Sequence, residues 1–483
     1  MAEKVDLSTA AIDPACAARL PAAFAMRRLV LPLCVLDGEF AVAMADASDE
    51  AAIALVEREA GRRVRAFAAD PAQLREALLR LYGDGRRVEA RAGAQADEPV
   101  AAVERILRMA ALRRASDVHF EPGADGLRVR FRVDGALEDV TTLPSAMQPA
   151  VTSRLKVLAG LDIAERRAPQ DGAFQWRDGG APAGEAIDVR AATLPVRHGE
   201  RVTLRLLETG GERLSLDGLG LSDGDRAAFE GVLESPHGLV LLSGPTGSGK
   251  TTTLYAAIQM LMRRRELNIL TVEDPIEYEM PGVSQAEVDA ADKVNFAKAL
   301  RSLLRHDPDV IMIGEIRDAE SLDAAVKAAL TGHLVLSTLH ANDAVGVVTR
   351  LSDMGLDRHL AAATLRLSAA QRLVRALCPH CREEVRLDDA QAAALGDPSL
   401  AGRAAFAPRG CVRCAGRGYR GRTGLFELFA PDAECASMIA QGAHEAALLA
   451  LARGRGMRTL ADDARAKCLG GVTTVREALR VTR

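Results

Sequence analysis

The apolar run His237-Gly-Leu-Val-Leu-Leu242 leads through Ser243 into Gly244-Pro245-Thr246-Gly247-Ser248-Gly249-Lys250-Thr251, and a helical pattern opens at Thr252. Strand, glycine-rich loop and helix in that order leave few folds open, because such a strand is buried on both faces by helices in an α/β architecture. The successive amides of the loop and the positive end of the helix behind it form a concave anion site. Gly247 and Gly249 let the backbone approach a phosphate with no side chain in between. Lys250 is suited to the β and γ phosphates of a nucleotide, and the Thr251 hydroxyl to a magnesium ion.

Two further apolar strands end in acids. Leu267 to Val272 runs into Thr271-Val-Glu273-Asp274-Pro-Ile-Glu277, and Val310-Ile-Met-Ile313 runs into Gly314 and Glu315. Open α/β sheets gather ligands at the carboxyl ends of their strands. Glu273 and Asp274 are candidates to orient or deprotonate an attacking water, with a solvated loop as the plainer reading. Glu315 suits indirect coordination of magnesium. His333 and His340 flank a short apolar strand, where a histidine senses a γ phosphate or merely closes the strand. Arg301 and Arg305 stand four apart on a helical pattern and share one face, towards an anion or towards solvent.

A chain of 483 residues has room for three or four domains. Its net charge of -4 and its 48% apolar and 27% charged residues describe an ordinary globular protein. Non-specific nucleic-acid binding gets no support from that balance, and 3% aromatic residues offer little stacking surface for single strands. No apolar run approaches the roughly 20 residues of a membrane helix, and Met1 to Thr9 lacks the basic-then-apolar pattern of a secretory leader. A cytoplasmic protein is the expectation. Residues 17 to 82 read as a small mixed domain, and 83 to 99 as a charged linker. A helix is expected around Val103 to Arg114. Leu127, Val129, Phe131 and Val133 then alternate with Arg128, Arg130 and Arg132, a half-buried strand. Asp134-Gly135 predicts a tight turn and a returning strand through Leu137 to Val140. From about Leu214 the pattern becomes α/β.

Of eight cysteines, four form the pairs Cys378-Pro-His-Cys381 and Cys411-Val-Arg-Cys414, with 29 residues between the pairs. Four thiolates suit a tetrahedral Zn2+ with no open position for catalysis, so the metal is expected to be structural. His380 is a spare ligand candidate. Cys16, Cys34, Cys435 and Cys468 read as small core residues.

These elements, in this order, closely resemble the secretion ATPase superfamily that powers type II secretion, type IV pili and related machines. GPTGSGKT resembles its Walker A loop, TVEDPIE its aspartate box, IMIGEIRD its Walker B segment and TGHLVLSTLHAND its histidine box. ASDVHFEP at 115–122, FRVDG at 131–135, RAATLPVRHGERVTLRLLE at 190–208 and GRTGLFEL at 421–428 match as well. The resemblance implies an enzyme that hydrolyses ATP with Mg2+, with Glu273, Glu315, His333 and His340 in catalytic positions. Gly244 to Thr252 are implied to hold the nucleotide. Arg190, Arg205, Arg301 and Arg305 are implied to approach it across domain or subunit contacts. The implied fold is multidomain α/β: a RecA-like P-loop core, a preceding α+β (PAS-like) domain, a small amino-terminal α/β domain and a tetracysteine zinc module.

The corresponding divisions are an amino-terminal docking domain at 1–85, a linker at 86–99 and the second domain at 100–208. A hinge at 209–219, the ATPase domain at 220–376, the zinc module at 377–426 and carboxy-terminal helices at 427–483 follow. The implied assembly is a homohexamer, peripheral on the cytoplasmic face of the inner membrane. Its amino-terminal domain docks on the cytoplasmic part of an inner-membrane assembly protein, beside a polytopic platform protein, and no nucleic acid takes part. Type II secretion is the favoured branch, because Leu20 to Arg28 resembles it and retraction ATPases lack the tetracysteine module. Pilus assembly is the alternative, and a nucleotide-binding scaffold with negligible hydrolysis is a further one.

Overall fold

The computed structural model describes residues 3–7, 9–13, 16, 20, 22–82, 98–177, 186–207, 215–288 and 296–482. The expected linker therefore lies outside the described residues up to 97, with 98 and 99 opening a helix. Most of the expected hinge, 209–214, lies outside them too. The chain divides into two compact units. One comprises 1–209, 377–383 and 407–421, the other 210–376, 384–406 and 422–483.

The first unit holds two sheets. Strands β1 (Val30–Leu36) and β2 (Glu39–Met44) pair antiparallel, and β3 (Val64–Ala68) joins β2 in parallel. The second sheet has the order β6-β5-β4-β9-β8-β7, built from β4 (Ala115–Gly123), β5 (Gly126–Val133), β6 (Ala136–Leu143), β7 (Gln170–Trp176), β8 (Ile187–Val196) and β9 (Gly199–Leu207). Asp134 and Gly135 both take positive φ, +50° and +82°, and so make the tight turn that the dipeptide favours. Val118, Phe120, Val129, Phe131, Val202 and Leu204 bury one face of this sheet against the helices Glu98–Leu112 and Gln148–Leu158. The other face carries the alternating arginines.

The second unit holds a seven-stranded sheet built from β10 (Gly238–Ser243), β11 (Ile269–Glu273), β12 (Ser284–Glu287), β13 (Val310–Ile313), β14 (Leu334–Leu339), β15 (Leu365–Leu377) and β16 (Tyr419–Phe429). Their order is β12-β11-β13-β14-β10-β15-β16. The pairs from β12 through β15 are parallel. Alternation splits the apolar runs between two cores. Leu239, Leu241, Ile311 and Ile313 face one side, and Val240, Leu242, Met312 and Leu336 face the other. Every residue of β10, β13 and β14 is buried, the signature of a parallel sheet covered on both faces.

The cysteine-bearing region does not stay together as 377–426. Leu387, Ala392, Leu395, Leu400 and Ala405 complete a core on the seven-stranded sheet, so 384–406 belongs with the second unit. The carboxy-terminal helices, with Cys435 and Cys468, close the same core.

Candidate ATPase site and tetracysteine cluster

Because β11, β13, β14, β10 and β15 are successive parallel neighbours, the residues that follow them emerge along one edge of the sheet. Glu315, His340 and the loop from Gly244 follow their strands there, Glu273 ends β11, and Gln371-Arg372 lies in β15 just past its last pair with β10, Ser243 with Ala370. At the centre, Gly244 has φ +146°, and a side chain there would sit 2.5 Å from the Gln371 carbonyl oxygen. Gly247 and Gly249 have φ of +78° and +89°, a backbone that favours glycine. Lys250 begins the helix Lys250–Arg264. Thr251 is half-buried on its first turn and Thr252 exposed.

The loop is fitted to phosphate. The Lys250 ammonium donates to the carbonyls of Gly244 (2.7 Å) and Pro245 (3.1 Å), groups that give it up readily to an anion. The Ser248 hydroxyl is buried without a hydrogen-bond partner. Burial holds the Lys250 ammonium below its ordinary value, Glu315 opposes that, and Arg372 adds to it. An arriving phosphate relieves the crowding of these two cations.

Glu315 accepts from His340 Nε2 (2.9 Å) and Arg317 Nε (2.9 Å). His340 Nδ1 lies 3.0 Å from the Gly244 carbonyl. His340 thus stands between the two loops, one ring nitrogen at the Gly244 carbonyl and the other at the Glu315 carboxylate. Arg317 also reaches Asp274 (3.5 Å).

Glu273 differs from Glu315: it is 2% exposed. Its carboxylate accepts from Thr271 Oγ1 (2.6 Å), Gln285 Nε2 (3.0 Å) and the Tyr255 hydroxyl.

His333 does not join these residues. It precedes β14, at the opposite end from His340, and its Nδ1 lies 2.9 Å from the Ala328 carbonyl and 3.2 Å from Thr331 Oγ1. A six-residue strand separates the two histidines by roughly 20 Å. Arg301 pairs with Glu320 (2.6 Å). Arg305 falls beyond the helix Phe296–Leu303 and donates to the Arg301 carbonyl (3.1 Å) and the Ser302 hydroxyl (3.2 Å). The Arg305 side chain thus folds back on the end of the helix that carries Arg301.

In the first unit, Arg190 and Arg205 face each other directly across β8 and β9, and Asp117 on β4 lies opposite Arg205. Arg132 on β5 is next in the same row. Arg205 Nε bonds Asp117 Oδ1 at 3.2 Å, with Arg132 Nε 3.7 Å from the other oxygen. Asp117 lies between Arg205 and Arg132 in this row and pairs with both.

The four cysteine sulfurs lie within 4.8 Å of one another, with separations of 3.8–3.9 Å for Cys378–Cys411, Cys381–Cys414 and Cys411–Cys414. A zinc tetrahedron with bonds of about 2.3 Å has edges of about 3.8 Å, so the donor set fits. Burial raises Cys381 and pushes Cys411 up to about 11. Burial acts likewise on Cys414, but amides of Cys411 (3.2 Å) and Gly418 (3.1 Å) bring that thiol below its ordinary value. His380 faces Arg413 instead of the cluster.

Gln371, Arg372 and Tyr255 escape sequence reasoning. Two adjacent polar residues directly after Ala369-Ala370, where the alternation of Leu365 to Ser368 breaks, are the signal that marks the first two. Thr253 Oγ1 donates to Gln371 Oε1 (2.8 Å), tying the loop's helix to β15. Arg372 donates to the Asn342 carbonyl (2.7 Å).

A family model described as Type II/IV secretion system protein matches residues 94–480, and the MshEN domain matches residues 2–88. Type II secretion system protein E of Pseudomonas aeruginosa is 44% identical over 490 residues, covering 96% of each chain. Type IV pilus assembly ATPase PilB of Thermus thermophilus is 37% identical over 492 residues, covering 97% of this chain and 55% of its own length. Among solved structures, the pilus retraction motor PilT with bound ADP is similar at TM-score 0.54 and 27% identity, covering 78% of this chain and 96% of its own. No helix among the described residues is long and apolar enough to cross a membrane. A phosphate loop, an acid at the end of the next strand but one and a histidine bridging them, in a chain that matches the family model across most of its length, establish that this protein belongs to the Type II/IV secretion system protein family and is an ATP hydrolase.

Proposed function

We propose that this chain is a cytoplasmic homohexameric motor whose ATP hydrolysis drives pseudopilus assembly in a type II secretion system. The observation that carries the motor reading is the convergence of Lys250, Glu315 and His340 at the edge of one parallel sheet. The type II branch is supported by likeness to a protein E along 96% of both chains.

In this reading Lys250 leaves the carbonyls of Gly244 and Pro245 and bears on the β and γ phosphates. Gly244 to Gly249 cradle the phosphates, and Thr251 and Glu315 hold Mg2+, which when bound neutralises charge on the phosphates. Glu273 orients or deprotonates the attacking water. His340, freed from Glu315, donates to the γ phosphate. Arg190, Arg205, Arg301 and Arg305 supply cations to the nucleotide across domain or subunit contacts. His333, remote from the loop of its own chain, acts at such a contact. The domain divisions at 85, 99, 208 and 219 follow the same family pattern, with hinge closure near 209–219 delivering the stroke.

Cys378, Cys381, Cys411 and Cys414 hold a structural Zn2+. The amino-terminal domain docks on the cytoplasmic part of an inner-membrane assembly protein, which places the ring peripherally on that membrane beside a polytopic platform protein. Pilus assembly is the second reading, favoured by the likeness to PilB along 97% of this chain.

The test is complementation. The gene restores export of secreted enzymes to a strain lacking its own type II secretion ATPase, and Lys250→Ala does not. Restored piliation in a strain lacking its pilus assembly ATPase, without restored export, reverses the choice of branch.

A further inference from the structure

The helix that carries Lys250 also carries Tyr255, which is fully buried five residues on. Its hydroxyl accepts from the Glu277 amide (3.4 Å) and donates to Glu273 Oε2. The amide donates and a carboxylate oxygen accepts, so the one phenol hydrogen lies in the bond to Glu273. The other carboxylate oxygen, Oε1, accepts from Thr271 and Gln285. Each carboxylate oxygen has about two lone-pair sites, so Oε1 is filled and Oε2 keeps one. Burial removes Glu273 from bulk water, and these three donors set its orientation in place of solvent. Tyr278 packs edge-on against the Tyr255 ring at 4.4 Å, yet its own hydroxyl is buried without a hydrogen-bond partner. Burial, then the bond to Glu273, raises the Tyr255 phenol well above its ordinary value, so it stays a donor throughout.

We propose that Tyr255 is a positioning residue for hydrolysis: from the helix that begins at Lys250, its hydroxyl orients the Glu273 carboxylate and leaves one lone pair of Oε2 for the attacking water. The proposal rests on the reading of Glu273 as the residue that addresses water. It links two parts of the site that are otherwise separate in sequence, since a shift of the Lys250–Arg264 helix on phosphate binding is felt directly at the acid. The titratable groups facing Glu273 are Tyr255 and Tyr278, with Glu277 beyond them.

The test is steady-state ATP turnover against pH by the full-length hexamer. The variants are Tyr255→Phe, Thr271→Val, Tyr278→Phe and Glu273→Gln, with melting temperatures confirming that each folds. The acidic limb of kcat reports the group that addresses water and is a readout that a merely structural role would not move. Tyr255→Phe is expected to lower kcat about tenfold, to leave KM for ATP within about twofold, and to move the acidic limb of kcat up by about one pH unit. Thr271→Val moves the limb the same way. Tyr278→Phe, which removes a hydroxyl bonded to nothing, leaves it in place. A Tyr255→Phe profile superimposable on wild type, or an equal shift in Tyr278→Phe, overturns the proposal. Wild-type turnover in Glu273→Gln instead overturns the reading of Glu273, and the positioning role with it.

Discussion

Strands β10, β13 and β14 of the second unit are buried at every residue, whereas β5 of the first alternates buried Leu127, Val129, Phe131 and Val133 with arginines at 128, 130 and 132. The difference dictates where each sheet can hold charge. A parallel sheet covered on both faces has no room for an unpaired polar side chain along its strands, so its chemistry is confined to their ends. An antiparallel sheet with one open face can carry a row such as Arg190, Arg205, Asp117 and Arg132 in mid-strand. The first arrangement fixes its groups rigidly against loop backbone. The second presents cations to whatever comes against the face.

This contrast breaks most clearly if a strand-end residue proves dispensable. Lys250→Ala is expected to reduce ATP turnover by about a thousandfold or more, to background, with an unchanged circular dichroism spectrum. Next in size is the interior of the parallel sheet. Ile311→Ala removes a fully buried side chain and is expected to cost about 2–5 kcal/mol in urea unfolding of the second unit. On the open face the sign of the trade reverses. Arg205→Ala and Arg190→Ala are each expected to lower turnover by about tenfold to a hundredfold, an effect of cation loss at the transition state, with no loss of melting temperature. A fall in stability there equal to that of Ile311→Ala would erase the distinction between face and core.

The smallest effect concerns His119, buried in that polar face. Burial, then Arg201, holds its imidazole below the ordinary value, against the pull of Asp117 and Glu121. The unfolded chain therefore binds the proton first. This contribution to stability is complete above about pH 6.5 and declines as pH falls below it. His119→Gln is expected to flatten the decline in melting temperature between pH 7 and 5, and a parallel decline in the variant would contradict the assignment.

The same contrast governs what the sequence discloses. The strand-end site is legible because continuous apolar runs ending in Gly244, Glu273, Glu315 and His340 can only be buried strands that stop at one edge. The Asp134-Gly135 turn and the returning β6 are legible because the positive backbone angles belong to the dipeptide itself. Three things are not. Tyr255 looks like any helical residue, because only tertiary packing brings its hydroxyl to Glu273. His333 and His340 look equivalent in the sequence, and only strand direction separates them. The division of the cysteine region escapes notice because Leu387 to Ala405 contribute to a core formed mainly by residues far away in the chain.

The most direct test of the strand-end site is phosphate release from ATP with Mg2+ by wild type, Lys250→Ala and Glu315→Ala, each separated by size into monomer and hexamer. The account predicts turnover in the wild-type hexamer, little in its monomer, and background rates in both variants. A wild-type hexamer that binds ATP but releases phosphate no faster than the two variants, with anionic lipid and membrane partner present, would contradict it.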